Sequence, residues 1–172
     1  MKISIFGAGY VGAVSAACLT KDGHTVIAVD PDPNKIQPLL AGKSPIIEPG
    51  LEELISEGVA SGRLTATSDA ASALAETDLS LICVGTPSRP DGSLNTEYLK
   101  RAAEEIGAAL KTKNTYHSVV VRSTCLPGTT ESVVVPALEK ASGLKAGKTS
   151  ASPIFPNSCG KAPQSRTITI RA

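Results

Sequence analysis

Short apolar runs and longer stretches with helical spacing alternate along most of the chain. The apolar runs resemble strands that are buried on both faces of a parallel sheet. Between residues 95 and 111, apolar side chains recur every three or four positions, which predicts one long helix with a buried face. The residues of that face are Leu99, Ala102, Ala103, Ile106 and Leu110. The predicted strands are residues 3–6, 25–29, 64–67, 79–84 and 118–121.

Helices are predicted between these strands, and polar residues mark some of their ends. Ser68 or Asp69 is expected to cap a helix that reaches about Ala75, because side-chain oxygens accept the first helical N–H groups. The pattern favours an α/β fold: a Rossmann-like doubly wound parallel sheet with helices on both faces. The composition becomes linker-like and polar from about Lys145, so we assign residues 1–147 to this domain and 148–172 to an aberrant tail. The other predicted elements are helices at 13–21, 34–42, 51–61 and 129–140 and a short strand at 167–170.

A glycine-rich turn follows the first predicted strand and opens the first helix. Gly7 allows a tight turn, Gly9 lets a pyrophosphate approach the backbone, and Gly12 permits close packing of the helix on the sheet. The free N–H groups at the helix end favour a phosphate. Asp30 ends the next strand 18 positions after Gly12, where a carboxylate accepts hydrogen bonds from an adenosine ribose and opposes a 2′-phosphate. The motif predicts a site for NAD rather than NADP; the alternative is a glycine-rich turn without a ligand.

Three further loops follow strand ends, where ligands bind in open α/β sheets. Lys35, just after the loop that starts at Asp30, can reach an adenosine ribose or a phosphate. Thr86 offers a hydroxyl after the fourth strand, and Arg122 and Thr124 follow the fifth. Each residue also has an ordinary interpretation: a solvated lysine, a cap or turn threonine, or an arginine in an ion pair.

Composition narrows the class of protein without identifying it. The 172 residues suit one domain, and 41% hydrophobic with 19% charged residues suit an ordinary globular core. A net charge of +1 gives no argument for nucleic acid or an acidic membrane surface. No apolar run reaches the roughly 20 residues of a membrane span. Four cysteines without CxxC spacing favour neither a metal site nor a disulfide scaffold, so we expect a reduced, cytoplasmic protein.

The histidines and cysteines receive mostly structural interpretations. His24 and His117 have no Cys, Asp or Glu at metal-ligand spacing and are interpreted as surface histidines. Cys18 and Cys83 fall within predicted elements and are interpreted as core thiols. Cys125 lies beside the expected cofactor face and is the one cysteine considered for reactivity, although an inert thiol is favoured there.

Four segments together resemble the UDP-glucose/GDP-mannose dehydrogenase family. They read Phe-Gly-Ala-Gly-Tyr-Val-Gly at 6–12, Lys-Ser-Pro-Ile-Ile-Glu-Pro-Gly-Leu at 43–51, Ile-Cys-Val-Gly-Thr-Pro at 82–87 and Val-Arg-Ser-Thr-Cys-Leu-Pro-Gly-Thr at 121–129. The resemblance runs from Met1 to about Gly147. Arg122 stands where UDP-glucose members more often have lysine, so GDP-mannose is the favoured substrate and UDP-glucose the alternative. A β-hydroxyacid dehydrogenase would share the first segment, but the segment 43–51 argues against it.

The resemblance implies NAD as cofactor and a sugar nucleotide as substrate. Members oxidise a primary alcohol of the sugar to a carboxylate with two NAD: an aldehyde forms, a cysteine thiolate captures it, hydride leaves to the second NAD, and water cleaves the thioester. The catalytic cysteine lies in a later region of the family, so we expect a chain truncated before the central helix and C-terminal domain, inactive alone. Full-length members are expected to form homo-oligomers. The family's NAD-contacting positions correspond to Tyr10, Val11, Asp30, Lys35, Thr86 and Thr124.

The last residues depart from the family pattern in a way that suggests a shifted reading frame. One permitted codon choice for residues 157–172, read two bases later, gives Phe-Leu-Arg-Glu-Ser-Thr-Ala-Ile-Lys-Asp-Tyr-Tyr-Asp-Ser-Arg, which restores the family motif. We therefore expect a frame shift between about Ala151 and Asn157, and we assign no role to residues after Pro156. The alternative function is an NAD-binding-only or decayed gene product.

Overall fold

A computed structural model describes residues 1–147, 150–151 and 166–170 of the chain. Strands and helices alternate as the apolar pattern predicts. The strands are β1 (Lys2–Phe6), β2 (Thr25–Val29), β3 (Leu64–Thr67), β4 (Leu79–Ile82), β5 (His117–Val121), β6 (Ser150–Ala151) and β7 (Arg166–Ile170). The helices are α1 (Tyr10–Lys21), α2 (Pro33–Leu40), α3 (Leu51–Ala60), α4 (Ala70–Glu76), α5 (Glu97–Leu110) and α6 (Val135–Ser142).

Five parallel strands form the main part of the sheet, in the order β3-β2-β1-β4-β5. The order reverses between β1 and β4, and α/β sheets bind ligands at the carboxyl ends of the strands on either side of such a reversal. β7 pairs antiparallel with β5, with Val119 opposite Ile168, and β6 pairs antiparallel with β7. The predicted Rossmann-like parallel sheet is confirmed for the five strands, and the edge beyond β5 is antiparallel.

The two faces of the sheet bury separate apolar cores. Because successive side chains of a strand point to opposite faces, Ile5 packs on one side and Phe6 on the other. α1, α2 and α3 cover the first face, and α4, α5 and α6 cover the second. α5 and α6 approach so closely that a Cβ on Gly107 would lie 2.7 Å from the Cβ of Ala141. The predicted buried face of α5 is confirmed, since all of its members are buried: Leu99, Ala102, Ala103, Ile106 and Leu110.

Two helices differ most from their predictions. α1 begins at Tyr10 rather than at residue 13, because Gly12 already lies inside its first turn. The run predicted as one helix over 129–140 is a π-helical turn, Thr130–Val134, followed by α6. Pro136 accounts for this break, since it has no N–H to donate to a carbonyl of the preceding turn. Asp69 caps α4 as predicted, because its side chain accepts two backbone N–H groups.

The interpretation of His117 as a surface histidine is wrong. His117 is fully buried, with Nε2 2.8 Å from Ser80 Oγ and Nδ1 3.2 Å from the carbonyl oxygen of Thr77. Ser80 Oγ lies 2.7 Å from Ser4 Oγ, so the histidine belongs to a buried polar network that joins β1, β4 and β5. Burial, reinforced by the positive charge of Lys113, lowers the pKa of His117 from 6.5 to about 4. The imidazole is therefore neutral near neutral pH.

The tail contributes a described strand to the sheet. β7 corresponds to the short strand predicted at 167–170, and its Ile168 is buried in the core that α5 and α6 cover. Cys159 lies outside the described residues, as does most of the segment in which we expect the reading frame to shift. The division of the chain at residue 147 stays a prediction.

Candidate nucleotide-binding site

The glycine turn between β1 and α1 has the open shape that a phosphate site requires. Gly7 has a φ of +101°, and a Cβ there would lie 2.9 Å from the carbonyl oxygen of Cys83. A Cβ on Gly12 would lie 1.7 Å from the carbonyl oxygen of Gly7, so the turn itself excludes a side chain at this position. At Gly9, no described atom beyond its chain neighbours and the helix backbone lies within 4 Å of the Cβ position. Open backbone thus faces outward at the N-terminal end of α1, where N–H groups attract an anion.

Asp30 braces the glycine turn from the end of β2. Its side chain is buried, and Oδ2 accepts hydrogen bonds from the Ala8 N–H at 2.8 Å and from Lys35 Nζ at 3.0 Å. Oδ1 accepts from the Asp32 N–H at 3.0 Å. A carboxylate offers about four acceptor positions, so one is left for a ribose hydroxyl. Asp30 therefore holds the shape of the glycine turn, as an acid at the predicted ribose position would.

Lys35 combines the two roles that the sequence left open. Its ammonium forms an ion pair with Asp30, while 40% of its side chain remains exposed. The pair places a positive charge beside the ribose position, from which the flexible lysine stem can also reach a phosphate. Lys35 therefore lies at this edge as the ion-pair partner of Asp30 and is also partly solvated, and its contact with a ligand stays a prediction.

Hydrogen bonds join the loops that follow β4 and β5 at the same edge of the sheet. Thr86 Oγ1 donates to the Thr124 carbonyl oxygen at 2.6 Å, and Ser123 Oγ donates to the Val84 carbonyl oxygen at 2.6 Å. Thr86 and Thr124 are thus brought together, and the Thr86 hydroxyl braces the two loops. Ser123 lies between two residues that the sequence singled out, but nothing in the pattern indicates that its hydroxyl crosses to the neighbouring loop.

Tyr10 and Val11 open α1 at the rim of the site, with 56% and 42% of their surface exposed. The Tyr10 phenol donates a hydrogen bond to Glu48 Oε2 at 2.5 Å, across 38 residues of sequence. This hydrogen bond to a carboxylate raises the pKa of Tyr10. Glu48 lies in the segment 43–51, which the sequence distinguished only by its family resemblance. Sequence reasoning did not single out Glu48, because spacing cannot show which side chain crosses to the glycine turn.

The described thiol next to the glycine turn, that of Cys83, is structural rather than reactive. Cys83 is buried next to the glycine turn, and burial raises the pKa of its thiol to about 12 against the opposing charge of Arg122. A thiol with that pKa is protonated at neutral pH and is a poor nucleophile. The interpretation of Cys83 as a core thiol is confirmed. Cys18 and Cys125 are half-buried, and Cys125 packs against the core of α5 and α6.

The polar groups that the structure gathers at this edge include backbone amides, hydroxyls, the Asp30–Lys35 pair and the Glu48 carboxylate. Within the described ranges, no three or more His, Cys, Asp or Glu side chains are grouped in a way that could hold a metal ion. No helix in the described part of the chain combines the length and the apolar character needed to cross a bilayer.

The sequence of this chain matches the model of a known protein family. The model, described as the NAD binding domain of the UDP-glucose/GDP-mannose dehydrogenase family, matches residues 1–155. The chain belongs to this family. NAD is therefore the cofactor of the site, and the open backbone at Gly9 with the free acceptor position on Asp30 fits its pyrophosphate and ribose. The predicted fold, family and cofactor are confirmed.

Individual members of the dehydrogenase family are similar in sequence to most of this chain. GDP-mannose 6-dehydrogenase of Pseudomonas syringae pv. tomato is 56% identical over 147 residues, which are 86% of this chain and 34% of that protein. UDP-glucose 6-dehydrogenase AglM of Haloferax volcanii is 44% identical over the same length. The crystal structure of a ternary complex of Pseudomonas aeruginosa GDP-mannose dehydrogenase matches with a TM-score of 0.83 and 52% identity, over 84% of this chain and 33% of that one. The chain thus spans about a third of the relatives that it matches.

Replacing Asp30 by asparagine is expected to reduce the preference of this dehydrogenase domain for NAD over NADP. The variant loses the charge that opposes a 2′-phosphate and that pairs with Lys35. We expect NAD to bind about tenfold more weakly and NADP to lose less, as isothermal titration calorimetry with each dinucleotide would show. Lys35→Gln is the contrasting variant: it removes the positive charge beside Asp30 and keeps the carboxylate, so the preference for NAD over NADP should not fall as it does in Asp30→Asn. An unchanged ratio in Asp30→Asn contradicts the assigned role of Asp30.

Proposed function

We propose that the chain provides the NAD-binding part of a GDP-mannose 6-dehydrogenase, which oxidises GDP-mannose to GDP-mannuronate with two NAD. The observation that carries the proposal is the glycine turn braced by Asp30, with open backbone at Gly9 for the pyrophosphate. Sequence identity supports the choice of sugar nucleotide. This chain is 56% identical to a GDP-mannose 6-dehydrogenase and 47% identical to a UDP-glucose 6-dehydrogenase over the matched residues. Arg122, where lysine is more usual in UDP-glucose members, points the same way. UDP-glucose is the alternative substrate.

The proposed biological setting follows from the product. GDP-mannuronate is a precursor for an alginate-type polysaccharide, so we place the protein in polysaccharide biosynthesis in the cytoplasm. Homo-oligomerisation is expected of the full-length enzyme.

We further propose that residues 1–172 bind NAD without oxidising a sugar nucleotide. The family reaction needs a thiolate that attacks an aldehyde. Cys83, buried with a pKa of about 12, does not meet that need, and Cys18 and Cys125 lie partly inside the packed helices and loops. Cys159 does not correspond to the family's nucleophile position by resemblance.

The test uses the 172-residue chain and two measurements. Calorimetric titration with NAD should show saturable binding, and incubation with NAD and GDP-mannose should give no rise in NADH absorbance. Formation of NADH from GDP-mannose contradicts the proposed inactivity, whereas absence of heat and of a thermal shift with NAD contradicts binding and favours a decayed gene product.

We also propose that the reading frame shifts near the end of the family match. The family model matches as far as residue 155, which lies within the segment between Ala151 and Asn157 where we expect the shift, directly before the codons that restore the family motif in the other frame. Reading the gene's nucleotides across these codons tests the idea, and a gene in which no other frame encodes the motif refutes it. If the frame is restored, the extended product should form NADH faster from GDP-mannose than from UDP-glucose, and the reverse order favours the alternative substrate.

A further inference from the structure

The bond between Tyr10 and Glu48 joins two parts of the site that are distant in sequence. Tyr10 is the first residue of α1, beside the backbone that faces the pyrophosphate. Glu48 belongs to the loop between α2 and α3, and its Oε2 lies 2.5 Å from the Tyr10 hydroxyl. Both residues are exposed, so packing does not require this contact. We propose that Glu48 is a positioning residue for NAD, which holds the Tyr10 ring beside the glycine turn in the orientation that leaves the pyrophosphate approach clear.

The loop that carries Glu48 is itself held in place. Ser44 Oγ donates to the Ile46 carbonyl oxygen at 2.6 Å and accepts from the Ile46 N–H at 3.3 Å, which closes a tight turn. Ile46 packs against the core that α1 and α3 share, and the Leu51 N–H donates to the Glu48 carbonyl oxygen at 3.2 Å. The backbone at Glu48 is therefore anchored on both sides. The hydrogen bond to Glu48 therefore holds the Tyr10 ring in a fixed position relative to this anchored loop.

The orientation of Tyr10 matters because of what lies next to it. Gly9 leaves the approach to the first turn of α1 open, with no described side chain near its Cβ position. An exposed tyrosine without a partner samples several rotamers, and ordering such a side chain on binding costs free energy. A ring already held by Glu48 does not incur that cost when NAD binds. The inference rests on NAD binding at the glycine turn.

The experiment is a double-mutant cycle on the 172-residue chain, with NAD affinity measured by isothermal titration calorimetry. Glu48→Ala and Tyr10→Phe each remove the hydrogen bond, and each should weaken NAD about fivefold. The double variant should bind no more weakly than either single variant, because both remove the same bond. Glu48→Gln keeps an acceptor oxygen at the same place and should restore affinity to within about twofold of wild type. Rescue by glutamine separates orientation of the ring from the charge of the carboxylate.

A spectroscopic readout reports the tyrosine directly. The chain has three tyrosines and no tryptophan, so near-ultraviolet absorbance follows phenol ionisation without interference. Subtracting the Tyr10→Phe titration isolates Tyr10, whose pKa should fall in Glu48→Ala. Glu57→Ala and Tyr116→Phe are matched controls that should leave NAD affinity unchanged. Glu57 is an exposed residue of α3, and Tyr116 is an exposed residue directly before β5, at the edge of the sheet opposite the carboxyl ends of the strands.

The outcomes distinguish a failure of the Glu48 proposal from a failure of the NAD site. A wild-type chain that binds no NAD overturns the site and this inference with it. Wild-type binding that Glu48→Ala leaves unchanged overturns the inference alone, as does a double variant whose loss is the sum of the two single losses. Circular dichroism and thermal unfolding of every variant verify that a weakened affinity reflects the site rather than the fold.

Discussion

Alanine at position 12 is expected to destabilise the whole domain and abolish NAD binding. The new Cβ would lie 1.7 Å from the Gly7 carbonyl oxygen and 3.5 Å from Cγ2 of Ile5. The first of these contacts is with backbone, which cannot rotate away as a side chain can. Relief requires the turn to open or α1 to shift on the sheet, and we expect a loss of about 3 kcal/mol or more of unfolding free energy. Urea unfolding followed by circular dichroism measures the loss.

Gly9→Ala is the matched variant for this prediction: it should weaken NAD binding and leave the stability of the domain almost unchanged. The Gly9 backbone is extended, with φ −77°, and nothing described lies within 4 Å of the new Cβ beyond its chain neighbours and the helix backbone. The unfolding free energy should therefore change by less than about 0.5 kcal/mol. The added methyl lies where the pyrophosphate approaches, so NAD should bind at least about tenfold more weakly. A stable Gly12→Ala variant, or a Gly9→Ala variant with wild-type affinity, contradicts the roles assigned to the two glycines.

The roles of these glycines could be predicted from the sequence because the signal is local. Gly7, Gly9 and Gly12 lie within six residues of each other, between a strand and a helix that the apolar pattern also predicts. Asp30 follows from the same local logic, as the acid at the end of the next strand. Its bonds to Ala8 and Lys35 add that it holds the glycine turn, and its contact with the ribose stays a prediction.

Features that depend on contacts distant in sequence could not be predicted. The partner of Tyr10 lies 38 residues away in a loop, and no periodicity records which glutamate of residues 48, 52 and 53 reaches it. The π-helical turn before α6 reflects the single missing N–H of Pro136, which a pattern of apolar positions does not register. In both cases the sequence shows the element and the structure shows the connection.

His117 was misinterpreted for a related reason. A histidine at the start of an apolar strand reads as a residue at the solvent boundary. Its burial depends on two serines in other strands, Ser4 and Ser80, which together provide a polar path through the sheet. Those serines interrupt otherwise apolar runs, and such interruptions are the signal that could have revealed the network.

The stability of the domain is expected to fall in mild acid because of His117. The pKa of His117 is about 4 in the folded chain against 6.5 for the free side chain, because burial and the charge of Lys113 disfavour the protonated form. The unfolded chain therefore binds the proton at higher pH than the folded chain. The contribution of the neutral histidine is fully present above pH 6.5 and is lost progressively as the pH falls from 6.5 to about 4. The shift corresponds to a loss of about 3 kcal/mol over this range.

The difference between wild type and His117→Gln isolates this effect from carboxylates that titrate in the same range. Glutamine does not titrate, and it keeps hydrogen-bonding capacity toward Ser80 and Thr77. The unfolding free energy of the variant should therefore lack the acid-induced loss due to the histidine, even if it is lower than that of the wild type at neutral pH. Urea unfolding at several pH values gives both profiles, and their separation should narrow or reverse as the pH falls. His24→Gln, which leaves the buried network intact, should retain the loss due to His117. Parallel profiles for wild type and His117→Gln would show that the imidazole takes up its proton as readily in the folded chain as in the unfolded one. The burial of the ring against Ser80 and Thr77 argues against that outcome.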